Sequence, residues 1–196
     1  MRTIETQVYT FDELSDDVKE KVIEEFRDDE CKHLDLYSFA EDCNEYLKEK
    51  GFTNPSVKYS LGYSQGDGLS FEADEYSKLE DLYIEELGKG KEKTAKLLAD
   101  NSTFICTGNK GGYGYASTSD IDLFIEYYTS EINTDGNNIS DVVDIVRGQL
   151  EDIYTDLCGE LETRGYNEIE YRLSDECIIE NIQCNDYEFT KEGKLI

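Results

Sequence analysis

Histidine is the first filter on what chemistry this chain can do. A serine or cysteine nucleophile needs a base to take its proton, usually an imidazole, and His33 is the single histidine in 196 residues. It lies in an acidic stretch that reads as the connection after the first helix. Cys31, His33 and Cys43 do not repeat the Cys-x-x-Cys or His-x-x-x-His spacing of zinc sites. Glu131, Asn133, Asp135 and Gly136 match the opening half of a calcium loop. Its closing half fails, because the twelfth position is Val142 instead of a bidentate glutamate. The stretch from Gly108 to Gly114 is rich in glycine but lacks the Gly-Lys-Ser/Thr of a phosphate-cradling loop, and no GxGxxG joins a strand to a helix. Paired carboxylates single out nothing, since 46 acidic residues bring some pair together by chance. The expectation is no catalytic residue, no metal and no cofactor.

What remains is the acid itself. Asp and Glu outnumber Lys and Arg by 46 to 19, for a formal net charge of −27. Such a field repels nucleic acid and anionic membrane and attracts basic surfaces from a distance. Direct nucleic-acid binding is therefore excluded as an expectation, as is a membrane role. Two acidic rows stand out. Asp120, Asp122 and Glu126 fall on one face of an expected strand, with Asp120 and Asp122 about 6.6 Å apart by the strand rise. Asp17, Glu20, Glu24 and Asp28 form a row along the first expected helix. Tyr113 and Tyr115 sit in the glycine-rich connection, and tyrosine is enriched at interfaces. Carboxylates so spaced can imitate a phosphate backbone and enter a basic groove on a protein that handles nucleic acid.

Certain elements must position these groups. Val57, Tyr59, Leu61 and Tyr63 alternate with polar residues, and so do Leu69, Phe71 and Ala73, which predicts two strands. Gln65, Gly66, Asp67 and Gly68 between them tolerate positive φ and reverse the chain into an antiparallel hairpin. This turn is the candidate ligand site if the protein binds one. Ile4 to Phe11 reads as a strand. Ser15 is placed to cap a helix whose buried stripe is Val18, Val22, Ile23 and Phe26. A second helix is expected from Leu36 to Lys50. Residues 77 to 98 read as one or two helices interrupted by Gly88-Lys-Gly90. Strands are expected from Phe104 and across Ser117 to Tyr128. Val142, Val146, Leu150, Ile153, Leu157 and Leu161 recur at helical spacing, predicting a helix from Ser140 to Thr163 that stops before Gly165. A short helix over Ser174–Cys184 and a strand at Tyr187–Thr190 close the chain. The plan is one α+β domain over residues 1–196, an antiparallel sheet of about five or six strands with helices packed on it. The chain opens without a signal-peptide pattern, and no apolar run approaches the length of a membrane span. Reduced cysteines and a cytoplasmic setting are expected.

Three blocks carry a family resemblance. Val8 to Ser15 with Lys19 and Lys21, the central Tyr63-Ser-Gln-Gly-Asp-Gly68, and the ending Ile182 to Gly193 with its Asn-x-Tyr-Glu-Phe-Thr run resemble a family of small proteins of tailed bacteriophages and prophages, some labelled antitoxin-like. The resemblance implies phage origin, a host bacterial cytoplasm and no assigned catalytic residue. The leading expectation is an inhibitor of a host defence system, of anti-CRISPR or anti-restriction type. Its partner would be the basic surface of a CRISPR effector, restriction enzyme or other nuclease. An antitoxin-like role toward a toxin partner stays open beside it. So does a small ligand- or metal-binding module or enzyme built on the Gln65–Gly68 turn.

Overall fold

A computed structural model describes residues 7–107, 121–125 and 138–196. The chain is α+β, and its contacts divide it into two compact units, residues 37–165 and residues 1–36 with 166–196.

In the smaller unit, β1 (Tyr9–Thr10) leads through a 3-10 turn, Phe11–Glu13, to α1 (Asp16–His33). Phe11 belongs to that turn and not to the expected first strand; residues 4–6 lie outside the described residues. His33 closes α1 instead of following it, with Nδ1 2.9 Å from the Asp29 carbonyl. The end of α5 (Ile139–Arg172), α6 (Asp175–Cys184) and β8 (Glu188–Phe189) complete the unit, with β8 antiparallel to β1. Ser174 caps α6 by accepting from the Cys177 amide at 3.3 Å. Phe11, Leu14, Val22, Ile178, Ile182 and Phe189 form its core. Arg172 ties α5 to α1 by donating from Nε to Glu30 at 2.8 Å.

In the larger unit, α2 (Tyr37–Lys50) is followed by β2 (Phe52–Thr53), β3 (Ser56–Ser60), β4 (Gly68–Glu72) and β5 (Glu75–Tyr76). Next come α3 (Leu79–Leu87), α4 (Glu92–Asn101), β6 (Ser102–Cys106) and β7 (Ile121–Ile125). The break between α3 and α4 falls where Gly88 adopts φ +84° and donates its amide to the Ile84 carbonyl, a positive-φ conformation that glycine reaches without the strain of a Cβ. The β3–β4 hairpin forms, pairing Val57 with Phe71 and Tyr59 with Leu69, but β3 ends at Ser60 and β4 at Glu72, so Leu61, Tyr63 and Ala73 lie outside the paired strands while Gly68 opens β4.

The expected sheet of five or six strands does not form. The described strands make four antiparallel pairs, β1–β8, β2–β5, β3–β4 and β6–β7. The reason lies at the hairpin edges. The Val57 amide on the β3 edge donates to Asn44 Oδ1 of α2 at 3.0 Å. On the β4 edge the Tyr154 hydroxyl of α5 accepts from the Phe71 amide at 3.1 Å and donates to its carbonyl at 3.2 Å. Helix side chains thus satisfy the groups that further strands would pair with. A single bridge, Ala73 to Cys106, connects β4's end to β6.

α5 also departs from expectation, continuing through Gly165 to Arg172. Gly165 is there for close approach and ends nothing: a Cβ on it would meet Leu61 and would lie 3.0 Å from Phe39 Cζ. The core of this unit is aromatic and aliphatic, with Tyr83, Tyr154, Phe52, Phe71, Leu47, Leu69, Leu98 and Leu150 wholly buried.

Candidate protein-interaction surface

The acidic row of α1 exists because its other face is committed to the core. Val22 is buried, with Val18, Ile23 and Phe26 packed beside it, and the helical period turns Asp17, Glu20, Glu24 and Asp28 outward, all four exposed. At 3.6 residues per turn they occupy an arc of about 80° on one helix face, at axial steps of about 4.5 and 6 Å. Ser15 stands at the N-cap but makes no side-chain cap to the backbone. Its hydroxyl instead supports Asp17, whose carboxyl is held below the usual aspartate range first by Ser15 and then by its own amide.

Asp17, Glu20 and Glu24 line one recess of about 630 Å³ together with Asp175 from α6, Lys21 and Arg27. Arg27 pairs there with Glu24 at 3.2 Å and also with Asp175, and its Nε donates to the Leu173 carbonyl at 2.9 Å. Lys21 reaches Glu25 at 3.8 Å. Among the described residues no ion pair engages Asp17, Glu20 or Asp28, so their charge faces solvent.

On β7 the expected alternation holds over the described span, with Ile121, Leu123 and Ile125 buried and Asp122 and Phe124 exposed. Asp122 is less available than the α1 row. Its Oδ1 accepts from the Leu123 amide at 2.9 Å and lies 3.7 Å from Arg147, which also pairs with Asp144 at 3.0 Å. Asp120, Glu126, Tyr113 and Tyr115 lie outside the described residues, as do the glycine-rich connection from Gly108 and the calcium-like stretch Glu131–Gly136.

The turn candidate is self-contained. Asp67 Oδ1 accepts from the Ser60 and Ser64 hydroxyls, both at 2.9 Å, and Oδ2 accepts from the Ser64 amide at 2.8 Å. Both carboxylate oxygens therefore staple the loop between β3 and β4, while Gly66 adopts φ +97°. Glu162 of α5 titrates above the usual glutamate range because it is partly buried and because Asp67 repels its charge.

Other groups with chemical potential are committed to structure. Burial pushes the thiols of Cys43, Cys106 and Cys158 to about 11, 12 and 12, so none is a thiolate nucleophile near neutral pH. Tyr46 donates to both oxygens of Glu160, at 3.0 and 2.9 Å, with the Arg164 guanidinium 4.2 Å over its ring. Among the described residues no three His, Cys, Asp or Glu side chains converge as metal ligands.

Sequence reasoning missed two contributions. Asp175 joins the α1 recess, and meets Arg27 of α1 there, through the packing of α6 on α1, which no local pattern signals. A second recess, of about 530 Å³, lies among β5, α3, α4 and β6, where Asp74, Glu75, Glu80 and Asp100 surround Tyr76 and Phe104. Asp74 and Glu75 are neighbours in the chain and Glu80 follows in the first turn of α3, so only the approach of Asp100 from α4 is tertiary.

No family model, curated protein or solved structure was found to match the chain.

Proposed function

We propose that this protein works by binding, presenting exposed carboxylates to the basic surface of a protein that handles nucleic acid. On this reading it is an inhibitor of a host defence nuclease, of phage or prophage origin, and acts in part as a nucleic-acid mimic. The observation that carries the proposal is the row Asp17, Glu20, Glu24 and Asp28, four exposed acids on one face of α1. Its axial steps span about one to two of the ~3.4 Å phosphate steps of a DNA strand. The formal charge of −27 adds long-range attraction toward a cationic groove, which raises the rate of encounter more than the final affinity. The phage setting is part of the proposal and rests on the resemblance of three sequence blocks to small phage proteins.

Affinity capture with the tagged protein from bacterial lysate, at low and high salt, tests it. The expected result is a nuclease or CRISPR component held at low salt and shed at high salt. Reversing Asp17, Glu20, Glu24 and Asp28 to lysine should abolish that capture while leaving the fold intact, since all four side chains are exposed. Capture that ignores salt, or that survives the reversal, would remove mimicry by α1 from consideration.

A further inference from the structure

Lys21 and Arg27 both line the α1 recess, and they are held very differently. Lys21 reaches Glu25 at 3.8 Å, with both side chains well exposed. Arg27 is anchored: its Nε donates to the Leu173 carbonyl at 2.9 Å, just past the end of α5, where a helix leaves carbonyls without internal partners. Its remaining nitrogens reach two carboxylates on separate elements. Nη1 meets Glu24 of α1 at 3.2 Å, and Nη2 meets Asp175, the first residue of α6. The rigid guanidinium fork serves three acceptors at once, which a lysine ammonium on its flexible stem does not do in one fixed geometry. A second arginine of the same unit shows what is unusual here. Arg172 and its partner Glu30 are 29% and 28% exposed, so that pair is turned inward and ties α5 to α1. Arg27 is 30% exposed, but Glu24 and Asp175 are 78% and 69% exposed. Arg27 therefore orders carboxylates that still face solvent.

An isolated exposed ion pair does little, but one anchored guanidinium joining three groups is a small network. A carboxylate accepts at about four lone-pair positions, so Glu24 and Asp175 keep acceptor capacity for a partner while Arg27 holds them. We infer that Arg27 is the positioning residue of the proposed binding face, and that it adds Asp175 of α6 to the α1 row by fixing it beside Glu24. The inference rests on the proposed binding role and adds that the order of the acids matters beyond their number. By charge alone, a cation within an acidic face only weakens its pull on a basic partner. Side chains ordered before binding escape the cost of being ordered by it. The two effects have opposite signs, so they can be told apart.

The probe is a nona-arginine peptide, titrated at constant ionic strength into the isotope-labelled protein and followed by amide NMR shifts along α1 and α6. Arg27→Met and Lys21→Met remove the same charge from the same recess. Arg27→Met should nevertheless bind about threefold more weakly than Lys21→Met. Arg27→Lys, which restores the charge without the fork, should not recover the loss. Equal affinity of the two methionine variants would overturn the inference, as would full recovery by lysine. Because Arg27→Met also frees the Leu173 carbonyl, a second comparison leaves that bond in place. Asp16 and Asp175 are exposed acids at the first positions of α1 and α6. Asp175→Asn should lose more affinity than Asp16→Asn, although the charge change is identical. Equal losses, or a difference seen in melting temperature and not in affinity, would reduce Arg27 to a structural tie and overturn the inference. These failures would leave salt-sensitive capture through α1 standing. A peptide that moves no α1 amide would instead remove the binding role of α1, and the inference with it.

Discussion

Asp67 and Glu162 show how one carboxylate's structural role sets the state of another. Asp67 spends both oxygens on Ser60 and Ser64, so its negative charge is fixed in place when Glu162 of α5 packs near it. Burial first, and Asp67 second, lift the Glu162 pKa above the usual value. The folded state therefore holds a proton on Glu162 more readily than the unfolded chain does. Stability from this group is fully present below the unfolded glutamate range and is lost as pH rises through the raised folded value. Glu162→Gln should accordingly raise the urea midpoint at neutral pH, and the gain should shrink as pH falls into the ordinary glutamate range. A gain that is constant with pH would show that the glutamate's charge is not the cause.

Elements, not residues, decided where the sequence could be read. Helices were legible because a 3.6-residue apolar stripe is a local signal: Val22 with Phe26, and Val142 through Leu161, fall on the buried faces of α1 and α5. The β3–β4 hairpin was legible through period-2 alternation and its turn residues. The sheet was not, because strand patterns reveal which face is buried but not what meets an edge, and here Asn44 and Tyr154 meet it. Gly165 misled for a related reason, since a glycine chosen for helix packing looks like a helix stop. Of the candidate interaction surface, the α1 row was visible in the sequence, while Asp175 reaches its recess from α6, far along the chain, and was invisible. Gly165→Ala tests the packing reading. It should destabilise by about 1–3 kcal/mol through overpacking against Leu61 and Phe39, despite alanine's better helix propensity, which denaturant unfolding would measure. A stabilised variant would mean the neighbouring side chains yield freely.

Across the whole molecule, charge opposes folding and favours partners at once. An excess of 27 negative charges is brought closer together when the chain compacts, and screening by salt relieves that repulsion. The melting temperature should therefore rise by several degrees from low to physiological salt, while affinity for a basic partner falls over the same range. Opposite salt slopes for stability and binding separate electrostatic recognition from salt-induced damage to the protein. If melting fell with added salt, surface ion pairs such as Arg27 with Asp175 and Arg172 with Glu30 would outweigh the net repulsion.

The hydroxyl of Tyr154 on the Phe71 backbone has a kinetic meaning as well. An amide inside a strand ladder is released to deuterium when its neighbouring strand unzips, but the Phe71 amide is guarded by a side chain of α5. Its exchange rate clocks the lifting of a helix. The Val57 amide, guarded by Asn44, clocks the lifting of α2. Two protons on facing positions of one hairpin thus time two different helices leaving it, and the difference between their rates orders the first openings of the core.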